Sequence, residues 1–520
     1  MREALPGLYQ AAPALVGALD EAGLDSDGLG ELLGGGAGAA LLRGEPAPVR
    51  RALRDAEPAA AELVSLVFLH DALPRPEVED LIGGEVLAAL ESDGLAEALP
   101  GGRVRLLLDA RAHELGGALR WVLSDADAAF LDRPAGREHV LGVGQASLSL
   151  AGSVPGSPAG RVLDLGAGSG VQALAQAAVA ESVVATDVAE RCLGFAAATL
   201  KANGVGNVEL RLGSWFEPVA GERFDRIVAN PPFVVGPPEV GHVYRDSGEG
   251  LDAATRIVAE GAPKHLSPGG SAHVIGSWAH VKGEPWQARV ASWLPARGVA
   301  AWVLERDAVD PAAYVSTWLK DENVDPRSAE GERRSSAWLD YLDGQRVEAI
   351  GMGFIALKDI GDHASEVVAE ELTQPLSGRL GDEVEEHFGR AAWLREHTAE
   401  GLLSSRFRLR SGLAKEDVAL ADEEAGQGFA RAALRLTRTD GPRFSHEVDE
   451  ELAAILAGLH PQGLSLGETA SLYCAARGLD EGQVLGRLPG LIEGLVRHGL
   501  VLPAGLGGGA EAGERDENDR

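Results

Sequence analysis

Cysteine is almost missing from this 520-residue chain, which has two, Cys192 and Cys474, far apart in sequence. A disulfide framework and a cysteine-rich zinc site are excluded, and a reducing cytosol is the expected setting. Long apolar runs are missing as well. No stretch approaches the ~18 uncharged apolar residues of a membrane helix. The first residues, Met1–Pro6, lack the apolar core of a secretory leader. The expectation is therefore a cytoplasmic protein without a membrane partner. Positive charge is also short: 47 Lys and Arg stand against 79 Asp and Glu, for a net charge of −32. Such a surface repels polyanions, which counts against a broad nucleic-acid footprint but leaves room for a local basic patch. No Ser-His-Asp arrangement and no metal-ligand cluster stands out, so no metal is expected.

What is present is ordinary for a globular chain. Apolar residues make up 45%, and the length implies two to four domains. Residues 8–70 carry apolar residues at helical spacing among many alanines. A Pro-marked break, a helical Glu77–Leu90 and a strand-like Arg103–Leu108 follow. That order predicts a mainly helical, winged-helix-like domain over 1–125, serving packing, substrate presentation or DNA binding. A linker is expected around Ser124–Glu138, followed by His139–Leu148 and the Gly/Pro/Ser-rich loop Gly152–Gly160.

From Arg161 the pattern alternates strand and helix. Strand-like runs are Val162–Leu165, Val183–Thr186, Val208–Leu212, Arg226–Ala229, Ser271–Gly276, Val299–Leu304 and Val347–Leu357. This predicts an α/β, doubly wound sheet over 126–360, its last strand turned antiparallel after Asp343-Gly344. Residues 363–402 read as helical and acidic. Arg406, Arg408 and Arg410 alternate as if on one strand face, with Arg431, Arg435, Arg438 and Arg443 nearby. This zone is read either as pairing with acidic neighbours or as a substrate or phosphate contact. Residues 361–503 are expected to form an α+β domain ending in a winged-helix-like unit, and 504–520 a disordered tail.

Two stretches carry chemistry. The run Val162–Leu165 leads into Gly166-Ala167-Gly168-Ser169-Gly170 and then a helix. A glycine-rich strand-to-helix turn lets backbone approach a ligand closely. A dinucleotide and S-adenosylmethionine both fit such turns. The dinucleotide fingerprint needs a third glycine at 171, which is Val. Asp164, just before the loop, suits the cationic parts of adenosylmethionine. Asp187, with Val188 beside it, ends the next strand where an acid can accept from ribose hydroxyls. Gly213-Ser214-Trp215-Phe216 follows the third strand, where an adenine would lie against Ser214 and an aromatic face. The second stretch, Asn230-Pro231-Pro232-Phe233, ends the fourth strand, because two prolines cannot continue it.

Together these motifs resemble the class I adenosylmethionine-dependent methyltransferases, and within them the small-methyltransferase branch. That branch includes release-factor glutamine methyltransferases and adenine- or guanine-N-methyltransferases of RNA or DNA. The resemblance covers roughly 140–360 and implies a Rossmann-like, seven-stranded methyltransferase domain. It implies S-adenosylmethionine contacts from Asp164, Gly166, Ala167, Gly168, Gly170, Asp187, Val188, Ser214, Trp215 and Asn230. At 214 this chain carries Ser where many relatives carry Asp. The resemblance also implies that the Asn230 side-chain oxygen and the Pro231 carbonyl accept from a planar NH2 group while Phe233 stacks on it. The acceptor is expected to be a macromolecule, preferably a protein or peptide with a glutamine-type amide, alternatively RNA or DNA; a non-catalytic binding role is the third reading. Pro232, Tyr244 and Arg245 are candidate substrate contacts, the last two in a segment read as either a helix start capped by Ser247 or a gating loop. His242 and His280 are read as ordinary histidines. Oligomeric state is not legible.

Overall fold

The computed structural model of the protein describes residues 4–127, 130–131, 136–238, 248–321 and 324–506. It divides into two compact units, Met1–Ala151 with Gly156–Glu371, and Gly152–Pro155 with Leu372–Arg520.

The first unit begins with the helices Pro6–Glu21, Ser26–Leu42, Pro46–Ala52 and Pro58–Leu63, then Arg75–Ile82 and Gly84–Ser92. A three-stranded sheet follows, with Arg103–Leu106 between Leu73–Pro74 and Ala96–Leu99. Next comes a hairpin, Leu108–Leu115 with Ala118–Asp125, that the sequence pattern does not reveal. Its two-residue turn is Gly116-Gly117, at φ 61° and 79°. Two successive positive φ angles are what a tight hairpin turn requires. Ser124 thus lies inside a strand where a linker was expected to start. The expected boundary at 125/126 is not a boundary of the core. Leu8, Leu15 and Leu19 of the first helix share one buried cluster with Cys192, Phe195 and Ala198 of the sheet-flanking helix Glu190–Ala202.

The central sheet has the strands β1 (Ala159–Leu165), β2 (Ala180–Asp187), β3 (Val208–Leu212), β4 (Phe224–Ala229), β5 (Leu266–Val281), β6 (Arg297–Val309), β7 (Val347–Ala364) and β8 (Glu366–Glu371). Their order is β3-β2-β1-β4-β5-β7-β6-β8. All seven expected strands are present. β7 runs antiparallel to β5 and β6, as the last strand was expected to do. The eighth strand corrects the sequence reading, which took 363–402 as helical. Val367 and Val368 pair with Ala301 and Trp302 on the open edge of β6, parallel to it. Two β-branched residues on an available edge override the acidic, helix-like composition. Around the sheet lie α1 (Val171–Ala177), α2 (Glu190–Ala202), α3 (Ala253–Gly261), α4 (Trp286–Ala291), α5 (Pro311–Asp321) and α6 (Ala329–Gly344). α3 begins at Asp252; Ser247, the expected cap, lies outside the described residues. Asp252 accepts from Ala279 N–H (2.9 Å) and from Arg289 (2.7 Å), tying α3 to β5 and α4.

In the second unit, Phe407–Leu409 pairs with Val501–Pro503, and a long hairpin joins Leu413–Ala421 to Phe429–Arg438. The helices Glu450–Ala457, Leu466–Arg477 and Glu481–Arg497 follow, the second opened by a Ser465/Glu468 capping box. Arg406 and Arg410 flank the short strand rather than share its face. Four of the seven arginines of this zone meet carboxylates: Arg410 with Glu386 at 2.7 Å, Arg431 with Asp417 at 2.9 Å, Arg435 with Glu447 at 3.0 Å and Arg438 with Glu383 at 2.7 Å. This is the pairing that the sequence allowed for. The last pair is buried, and Glu383 also holds buried Arg390 at 2.5 Å. No helix among the described residues is long and apolar enough to cross a membrane.

Removing one member of a buried ion group strands the others, at a cost of about 3–5 kcal/mol. Glu383→Ala is therefore expected to destabilise the second unit by that amount. Hydrogen exchange should show lost protection across 380–395 and 481–497 with protection of β1–β5 unchanged. Equal protection in both forms would contradict the role assigned to Glu383.

Candidate functional site

The site is made by strand ends that stop together. In the ladders Leu165 of β1 faces Ala229 of β4 and Thr186 of β2, and Asp187 faces Leu212 of β3. The next residues of the four strands, Gly166, Val188, Gly213 and Asn230, therefore emerge along one edge of the sheet. The carboxyl edge of an open α/β sheet is where ligands are bound. A cavity of about 1140 Å³ lies there.

The glycine loop is shaped by its own hydrogen bonds. Gly166 and Ala167 donate their N–H groups to the Thr186 carbonyl (both 2.9 Å), and Gly170 N–H donates to the Ala167 carbonyl (2.8 Å). Gly168 N–H donates to one Asp187 carboxylate oxygen at 2.9 Å, and Ala189 N–H donates to the other at 2.9 Å. Gly166, Gly168 and Gly170 sit at φ 86°, 53° and 88°. Side chains disfavour those angles, so the backbone itself forms the cavity wall. Four of the five loop N–H groups are spent inside the protein. That suits a ligand which does not need an amide cradle and is a poor fit for a pyrophosphate.

Of the residues singled out from sequence, Gly166, Ala167, Gly168, Asp187, Val188, Ser214, Trp215, Asn230, Pro231 and Pro232 line this one cavity. Three do not. Asp164 is fully buried beneath the loop, where one oxygen accepts from Ala173 N–H at 2.8 Å. It anchors the first turn of α1 instead of facing a ligand. Gly170 is the left-handed N-cap of α1, and an added Cβ would sit 3.2 Å from Ala196 Cα, so its role is packing α1 on α2. Phe233 is half-buried and outside the cavity lining. Two residues further on, Val235 is clamped from both sides. Its N–H donates to Tyr314 Oη (2.8 Å) and its carbonyl accepts from Trp338 Nε1 (3.1 Å). Phe216 is engaged elsewhere, stacked on His265 at 4.8 Å, which leaves Trp215 as the aromatic residue of that turn lining the cavity. Tyr244, Arg245 and His242 lie outside the described residues. His280 bonds Glu305 at 2.7 Å and stacks on Trp286, an ordinary structural histidine.

Residues 142–283 match the family model described as "Methyltransferase small domain". Two further models, both described as domains of unknown function, match 21–107 (DUF7059) and 385–503 (DUF7782). Among curated proteins, the chain is 45% identical over 122 residues to a release factor glutamine methyltransferase of Xylella fastidiosa, covering 21% of this chain and 44% of that protein. It is 33% identical over 164 residues to a ribosomal protein uL3 glutamine methyltransferase of Bradyrhizobium diazoefficiens (28% and 51%). It is 37% identical over 118 residues to a ribosomal RNA small subunit methyltransferase C of Citrobacter koseri (22% and 31%). The chain thus spans about half the length of these relatives or less.

Around the strand ends, the cavity has walls that no motif announces. The strap Glu138–Gly144 and Ser147 border it, as do Asp109 and Arg111 of the Gly116-Gly117 hairpin. Asp125, also lining it, accepts from Arg191 and from Val140 N–H (2.8 Å), which pins the strap. Ser147, on the helix Gln145–Ser153, accepts from Asn230 Nδ2 at 3.2 Å. Its carbonyl accepts from Gln172 Nε2 of α1 at 2.7 Å.

Burial pushes the Asp164 carboxyl up to about 7, the Ala173 amide pulls it back and nearby Asp187 raises it. Burial also raises Asp187, against the pull of the amides of Ala189 and Gly168. A carboxyl raised in the folded state keeps its proton while the unfolded chain loses it. Its share of stability therefore falls as pH rises from about 4 to about 7 and is flat above. Asp164→Asn should remove this component. Urea unfolding of the first unit is expected to show the variant gaining on the native chain through that window and holding its lead above pH 7. A difference that does not vary with pH would contradict the burial of an ionisable group there.

Proposed function

We propose that this chain is an S-adenosylmethionine-dependent N-methyltransferase acting on a planar NH2 nitrogen, with the side-chain amide of a protein glutamine as the favoured acceptor. The observation that carries this reading is the placement of Asn230 and Pro231 beside the glycine loop. An added Cβ on Gly166 would lie only 3.8 Å from the Asn230 carbonyl.

The residues present fit that cofactor. Asp187 can accept from ribose hydroxyls, since each carboxylate oxygen offers more than one lone pair. Trp215 and Ser214 border the place for the adenine, and the positive-φ glycines leave room for the methionyl part. When bound, S-adenosylmethionine supplies an electrophilic methyl group on a cationic sulfur. The rest is positioning by this chain. The nitrogen of an amide is a weak nucleophile because its lone pair is shared with the carbonyl. The Asn230 side-chain oxygen and the Pro231 carbonyl would accept its two hydrogens, fix its plane and favour pyramidalisation. Methylation itself acidifies the nitrogen, so no strong base is required of the protein. Alignment of this kind accounts for large rate factors. Phe233, outside the cavity lining, is not needed in this account; Pro232 lines the wall.

The glutamine assignment rests on the names of two relatives and on the acidic surface, which disfavours a polyanion. A nucleobase amine presents the same planar NH2 geometry, and the ribosomal RNA methyltransferase relative supports it as the second reading. Labelled-methyl transfer into cell extract, split between nuclease and protease, separates them: label should vanish with protease. Asn230→Ala is expected to lower transfer at least about a hundredfold with the cofactor Kd nearly unchanged by calorimetry. Asp187→Ala should weaken cofactor binding by about 1–3 kcal/mol. Full turnover by Asn230→Ala would overturn the role of that side chain.

A further inference from the structure

We infer that Ser147 is a positioning residue for the reaction: its hydroxyl holds the Asn230 carboxamide in place at the cavity. The inference rests on the role proposed for Asn230 and goes beyond it, to a residue outside every motif described above.

The argument starts from the symmetry of a carboxamide. Its oxygen and its NH2 are nearly the same size, so a rotation about the last side-chain bond exchanges an acceptor for a donor at little steric cost. The proposed chemistry tolerates only one orientation, because a donor aimed at an acceptor NH2 group repels it. A hydrogen bond to one end restrains that rotation. Asn230 Nδ2 donates to Ser147 Oγ at 3.2 Å, and both residues line the cavity. With the NH2 end engaged by Ser147, the oxygen is the end left for the substrate.

Ser147 is itself held. The buried Gln172 donates to its carbonyl at 2.7 Å, and Gln172 is the second residue of α1, directly after the glycine loop. Ser147 thus links the helix that starts at the cofactor loop to the side chain that faces the acceptor. The helix carrying it, Gln145–Ser153, follows the strap Glu138–Gly144 along the same cavity.

A positioning role and a cofactor-binding role make different predictions. Ser147→Ala removes this restraint, so kcat for labelled-methyl transfer into extract should fall about tenfold or more, while the cofactor Kd by calorimetry stays within about twofold. Ser147→Thr keeps a hydroxyl at the same atom and should recover most of the rate. Ser147→Cys is close in size to serine but a poor acceptor, so it should behave like alanine; it also guards against a packing defect in the alanine variant. If the native chain transfers methyl groups and Ser147→Ala and Ser147→Cys match its kcat, the inference is overturned while the role of Asn230 stands. A raised cofactor Kd with unchanged kcat at saturation overturns it too, since Ser147 would then serve the cofactor. Failure of Thr to recover the rate, with Ala and Cys both impaired, would assign Ser147 to packing. No transfer by the native chain at all would remove the underlying reading and this one with it.

Discussion

The constraint on which the site depends is the register of four parallel strands. A parallel ladder cannot slip by one residue without turning every side chain to the other face. β1, β2 and β4 bury Leu163, Val184 and Ile227 in one core. That burial fixes the alignment, which makes Leu165, Thr186 and Ala229 neighbours. The glycine loop, Asp187 and Asn230 are placed by this alignment before any of them touches a ligand. The loop then closes on itself through the Thr186 carbonyl and the Asp187 carboxylate. Hydrogen bonds that might have held a phosphate hold the loop instead.

The surroundings of the site come from three parts of the chain. The N-terminal helices share a core with α2, so the hairpin ending at Asp125 is held rigidly beside the cavity. α5 and α6, inserted between β6 and β7, clamp the chain after Pro232 through Tyr314 and Trp338. The strap before β1 completes the wall. The curated relatives match only a quarter or so of the chain.

The sheet was legible because β-branched runs were cut by glycine and proline at regular intervals. The cavity's loop, Asp187 and Asn230 were legible because each follows such a run. Other features required tertiary context. The strands Leu108–Leu115 and Glu366–Glu371 carry too many charged and alanine residues to look like strands, and pairing partners decide them. The clamp on Val235 comes from Tyr314 and Trp338, about 80 and 100 positions away. Asp164 sits in a motif that suggests a ligand contact, yet its complete burial reveals an anchor. Ser147 lies in a helix of small residues with no pattern, so only its bond to Asn230 makes it visible.

The most direct test is to find the atom that receives the methyl group. Purified protein and isotopically labelled S-adenosylmethionine would be incubated with an extract from cells lacking the protein, and the labelled product sequenced by mass spectrometry. The account predicts a single added methyl on the side-chain nitrogen of a glutamine within a protein. A methyl group on an oxygen, a carbon or an aliphatic amine would contradict it.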